Sequence, residues 1–113
     1  MSTKLLPAPE ALRQLLCYKP DTGKLYWRER TPDMFKRPSQ CKSWNKIYAE
    51  KEALYYVDNC GYKRGSVLNK VVLAHVAAYA IYFGIYPDNT DHINGDRSDN
   101  RIQNLRSVSK REN

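Results

Sequence analysis

Apolar residues in this chain fall into short runs of two different periods, and their alternation predicts an α+β fold of hairpins and helices. Pro7, Pro9 and Glu10 make a helix entry, because a first-turn proline loses no hydrogen bond. Leu12, Leu15 and Leu16 follow at helical spacing and predict a helix to about Cys17. Pro20, Asp21, Thr22 and Gly23 form a turn signal, and Leu25, Tyr26 and Trp27 favour a strand, so a hairpin is expected between Tyr18 and Arg28. Glu29 to Glu52 is polar and lacks a period, which predicts a long surface loop. Ala53 to Val57 reads as a strand, residues 58–61 as a turn, and Tyr62 to Leu68 as the next strand. A tight turn at Asn69 and Lys70 leads to a third strand, Val71 to Leu73. Ala74 to Phe83 is apolar enough for a second helix, and Gly84 is its stop signal. The whole is expected to be a small single domain with β-hairpins and two helices.

Composition narrows the choice of partner. With 113 residues, 42% hydrophobic and 27% charged, the chain suits one domain with a modest core. The formal charge of +7 favours polyanions: nucleic acid foremost, an anionic membrane surface as the rival, or a merely basic surface. In that light the segment Glu29–Glu52 has two readings. Its Lys36, Arg37, Lys42 and Lys46 alternate with Phe35, Trp44 and Tyr48. The aromatics either fold back onto the core, or the segment is a DNA-contacting arm with its cations on phosphates. Cys17, Cys41 and Cys60 are widely spaced and form no Cys-x-x-Cys pair, which argues against structural zinc. Reduced thiols in a cytoplasm are the simplest expectation. The longest apolar stretch, Val71 to Gly84, is interrupted by His75 and is too short for a membrane span.

The chemistry concentrates in residues 91–113. Asp91 and His92 are adjacent, a loop with Asn94, Gly95 and Asp96 follows, and then come Asn100, Asn104-Leu105-Arg106 and a final Glu112-Asn113. Phosphodiester hydrolysis needs a base with a near-neutral pKa, for which histidine is suited. It also needs a cation to stabilise the charge that builds on phosphate and leaving oxygen, held by hard oxygen ligands. In an extended segment Asp91 and His92 point to opposite faces and can approach one phosphate from two sides. Two blander readings compete. One is a polar hairpin with an Asn94–Gly95 turn. The other is a calcium loop, but Ile93 stands where its second ligand should be and Gly95 comes one residue early.

The joint spacing of these motifs resembles the HNH endonucleases, also called the ββα-metal or His-Me finger family, and is closest to their phage and homing-endonuclease branch. The motif covers about a fifth of the chain, with weaker likeness to related phage proteins across most of the rest. The resemblance divides the domain, residues 1–113, into a hairpin and helix scaffold at 1–90 and a ββα-metal motif at 91–113. It implies a divalent-metal-dependent DNA endonuclease using one Mg²⁺ or Mn²⁺ per site and no small-molecule cofactor. Asp91 and Asn113 are the implied metal ligands, His92 the general base, and Asn104 the asparagine that holds the base in place. Asn100 matches a recurrent loop-structuring position. His75 matches the histidine of an upstream His-Arg pair whose arginine is here Val76. Nicking of one strand, a 5′-phosphate product, and phage or prophage origin with action in the host cytoplasm are further implications.

Locally, Ser109 and Glu112 fit a capping box, so a helix is expected to begin there and to be cut short at Asn113. Arg97, Arg101, Arg106, Lys110 and Arg111 crowd the motif. They either balance its aspartates or grip DNA phosphates. The alternative function is a non-cleaving DNA-binding module with an incomplete metal site.

Overall fold

A computed structural model describes residues 6–108. Among these residues the fold is α+β with three antiparallel sheets. Helix α1 (Pro9–Leu15) leads directly into β1 (Leu16–Lys19), which pairs with β2 (Lys24–Trp27) across the expected turn. Helix α2 (Gln40–Tyr48) precedes β3 (Glu52–Ala53), which adds to β2. A second sheet joins β4 (Tyr56–Val57), β5 (Lys63–Val67) and β6 (Lys70–Leu73) in sequential order. Helix α3 (Ala74–Phe83) follows, and then a two-stranded ribbon of β7 (Asn89–His92) and β8 (Leu105–Val108).

Helix α3 starts and stops where its residues predict. Gly84 takes the left-handed conformation at φ 80° and donates its N–H to the Ala80 carbonyl at 2.8 Å. Arg13 donates Nε to the Ile81 carbonyl at 2.9 Å, tying α1 to the last turn of α3. Ala74, Ala77, Ala78 and Ala80 are buried, and these small side chains let α1 pack closely on α3. Leu12, Leu16, Leu25, Val67 and Val72 fill the centre of the core.

Four expectations need correction. The first helix ends at Leu15, because Leu16 and Tyr18 alternate inward as strand residues opposite Trp27 and Leu25. Residues 29–52 are not one loop. They contain α2, making three α-helices among the described residues instead of two. Its inner face is not aliphatic and gave no stripe: Asn45 donates Nδ2 to the Arg30 carbonyl and accepts the Arg30 N–H at 2.8 Å, while Trp44 and Tyr48 pack ring to ring. The strand expected over 53–57 breaks at Leu54, which turns left-handed at φ 55° to bury its side chain, so β3 and β4 join different sheets. Gly65 permits that crossing, since a Cβ there would lie 3.0 Å from Leu54 Cα. Finally, the β5–β6 turn is Leu68 and Asn69, with φ 50° and 64°, one residue earlier than expected.

Candidate active site

Strand β7 sets the two key side chains on opposite faces, as extended backbone requires. Asp91 pairs across the ribbon with Arg106 and is partly exposed; His92 pairs with Leu105 and is buried. Both Nε and Nη2 of Arg106 contact Asp91 Oδ2, at 2.9 and 2.8 Å.

The connection from Ile93 to Asn104 is a compact loop made rigid by its own polar side chains. Gly95, at φ 80°, donates to the His92 carbonyl at 2.9 Å. Asn94 accepts the Asp96 N–H, and Asp96 accepts the Ser98 N–H and hydroxyl. Those Ser98 bonds lower the Asp96 pKa. Asp99 is clasped by Arg101 through Nε and Nη2 at 2.8 and 2.7 Å, which holds its carboxyl well below the usual carboxylate range. Asn104 is buried inside the loop. Its Oδ1 accepts the Asn94 N–H at 2.9 Å, and its Nδ2 donates to Asn94 Oδ1 and the Asp99 carbonyl.

The asparagine that touches the histidine is therefore not the expected one. His92 Nε2 lies 2.9 Å from Oδ1 of Asn100, which is 1% exposed. Asn104 instead bonds within the loop that delivers Asn100. Asp-Asn-Arg and Asn-Leu-Arg look alike as motifs, and only the path of the loop shows which amide faces the ring.

The N-terminal hairpin supports that loop from behind. The Tyr18 hydroxyl donates to the Asn100 carbonyl, and the Ile102 N–H donates to the Pro20 carbonyl at 3.1 Å. Burial raises the Tyr18 pKa and keeps it a donor. Gly23, at φ 80°, lies flat against the same backbone: a Cβ there would sit 2.5 Å from Arg101 N. No local signal links residues 18–23 to residue 100.

His75 and Tyr62 form the wall beside His92. The His75 and His92 rings meet edge to face at 4.9 Å, and Tyr62 lies 5.2 Å from His75 and 6.1 Å from His92. His75 is buried with Nδ1 unpartnered, and its pKa falls to about 4, mainly through burial and secondarily through His92. It thus packs as a neutral ring against His92. Nothing in the sequence marked Tyr62.

Of the five cations expected to grip phosphate, three lie among the described residues. Arg106 engages Asp91, and Arg101 is committed to Asp99. Arg97 donates to the Cys60 carbonyl at 2.9 Å and stacks 5.0 Å over Tyr62, which sets it at the mouth of the His92 wall. Lys110, Arg111, Asn113 and the expected capping box lie outside the described residues. Among those described, no three His, Cys, Asp or Glu side chains converge as a metal cluster. Asp91 still fits a hard divalent ion: its carboxylate is accessible, and Oδ1 has no partner among the described residues. Such ions often take one or two carboxylates and complete their shell with water and phosphate. No helix among the described residues is long and apolar enough to cross a membrane.

An accessible carboxylate and a buried, amide-bound histidine thus stand adjacent on a ribbon closed by a polar loop. Residues 72–113 match the family model described as HNH endonuclease. The match includes His75, α3 and the whole ribbon. No curated protein and no solved structure matches the chain significantly.

Proposed function

We propose that this chain is a divalent-metal-dependent DNA endonuclease whose general base is His92. The observation that carries this reading is the Asn100–His92 contact beside Asp91. With Nε2 donating to Asn100 Oδ1, the lone pair stays on Nδ1, the nitrogen that takes the proton from an attacking water. Asn100 fixes the ring, and the neutral His75 ring packs against it without adding charge. Asp91, with Asn113 as the further ligand implied by the motif, would hold the ion. That ion, Mg²⁺ or Mn²⁺, supplies Lewis-acid stabilisation of the phosphate and the departing 3′-oxygen. Arg97 is the cation best placed to meet a phosphate near His92.

One site per chain makes nicking of one strand the expected output. The motif's resemblance carries the further reading of a phage- or prophage-encoded, homing-type enzyme acting in a bacterial cytoplasm. Residues 1–90 serve as scaffold for the motif at 91–113. A second reading, DNA binding without cleavage, draws on Arg106, which already holds the Asp91 carboxylate.

Supercoiled plasmid separates the two. Cleavage predicts nicking with Mg²⁺ or Mn²⁺ that is abolished by chelator and by His92→Ala. Binding alone predicts salt-sensitive DNA retention with no nicking in any metal.

A further inference from the structure

The family match begins at residue 72, and the segment from Arg28 to Glu52 lies outside it. This segment carries seven basic and four acidic residues and both tryptophans' immediate surroundings. Arg30 lies over two indoles, 4.0 Å from the Trp44 ring centre and 5.4 Å from that of Trp27. Phe35 and Tyr48 extend the aromatic cluster, with Tyr48 5.3 Å from Trp44 and 45% exposed. The Arg30 backbone is held by Asn45 and by the Cys41 thiol, and its guanidinium rests against the two indoles.

Two observations set this cluster apart from ordinary packing. Arg30 makes no ion pair among the described residues, its Nε is buried without a partner, and burial alone lowers its pKa. A half-buried guanidinium that rests on aromatic faces without an anion is complementary to a phosphate. The cluster also opens onto a cavity of about 500 Å³ lined by Trp27, Arg30, Trp44, Tyr48, Leu68 and Asn69, with Ser66 beneath and no carboxylate. Leu68 occupies the left-handed region at the turn on the far side, a conformation that costs a branched side chain energy and keeps it exposed. Lys42 and Lys46 lie on the same helix as Trp44 and Tyr48.

We infer that this cradle binds an unpaired nucleobase, stacked on the Trp44 and Tyr48 rings, with the adjoining phosphate on Arg30. Aromatic faces accept any base, and an unpaired guanidinium complements its phosphate. The inference rests on DNA being the substrate, and it assigns the N-terminal arm the job of holding a frayed or single strand away from the His92 site.

The test uses the full chain in chelator, so no cutting occurs. Both tryptophans of the chain, Trp27 and Trp44, lie in the cradle, so intrinsic fluorescence reports it directly. Oligothymidylate should quench that fluorescence, and Tyr48→Ser should weaken binding roughly tenfold. Arg30→Met should do the same; because Arg30 also anchors the arm, the half-exposed Tyr48 gives the independent variant. Unchanged fluorescence at saturating DNA, Tyr48→Ser binding like the parent, or quenching by duplex but not by single strand would each overturn the cradle. Nicking that persists while the cradle fails leaves the endonuclease reading intact. Quenching that persists where no metal supports nicking supports the cradle and removes the cleavage reading.

Discussion

Replacing Asn104 and Asn100 separately by alanine should split stability from catalysis. Asn104 makes three part-buried hydrogen bonds that close the 93–104 loop. At about 1 kcal/mol net each, Asn104→Ala should cost roughly 3 kcal/mol, out of the about 5–15 kcal/mol typical of a domain. That corresponds to a melting temperature lower by about 10–15 °C. Asn100 contributes one side-chain bond, to His92, and its backbone bond to Tyr18 survives truncation. Asn100→Ala should therefore cost only about 1–2 kcal/mol. Its effect on cleavage should be larger, because a general base is worth about 10²–10⁴-fold and an unoriented imidazole forfeits much of that. Thermal unfolding followed by circular dichroism, paired with plasmid nicking at a temperature where both variants are folded, reads the two effects. We expect Asn100→Ala to lose about 100-fold in nicking rate and Asn104→Ala less than about tenfold. Asn100→Ala nicking near the parental rate, or Asn104→Ala inactive yet fully stable, would refute the assignment of His92 orientation to Asn100.

Three further outcomes follow from the same geometry. Gly23→Ala should destabilise the domain and impair nicking, because its Cβ meets the Asn100–Arg101 backbone at 2.5 Å and the φ of 80° disfavours alanine; a variant with parental melting and nicking would remove the buttress from the account. Burial, and secondarily His92, depresses His75 from its ordinary 6.5 to about 4, while Asp58 favours its charge. The unfolded chain then takes up this proton first as pH falls, so the contribution is whole above about pH 6.5 and is lost between there and pH 4, roughly 2 kcal/mol by pH 5. His75→Phe should flatten the fall in melting temperature between pH 7 and pH 5, and an equal fall in both proteins would contradict this. Arg106→Ala removes an exposed pair and should shift stability by less than about 0.5 kcal/mol. It should also lower the metal concentration for half-maximal nicking several-fold, because Asp91 no longer shares its oxygen; an unchanged midpoint would show that Arg106 does not compete there.

The parts that the sequence determined are those whose physics is local. Proline, aspartate and glycine at 20–23 place a turn, Gly84 ends a helix because few other residues take its φ, and adjacent Asp91 and His92 on a strand must face opposite ways. Tertiary structure decided what depends on partners far along the chain. Helix α2 exists because Asn45 and Trp44 bind Arg30, a pairing with no hydrophobic period to betray it. The strand at 53–57 breaks because Leu54 exchanges regular pairing for burial against Gly65. The choice of Asn100 over Asn104 as the histidine's partner rests on Tyr18, Pro20 and Gly23, some 80 residues away in sequence, which fix where the loop backbone lies. An amide side chain bonds whatever the surrounding backbone brings within about 3 Å, and a motif's spacing does not specify that distance.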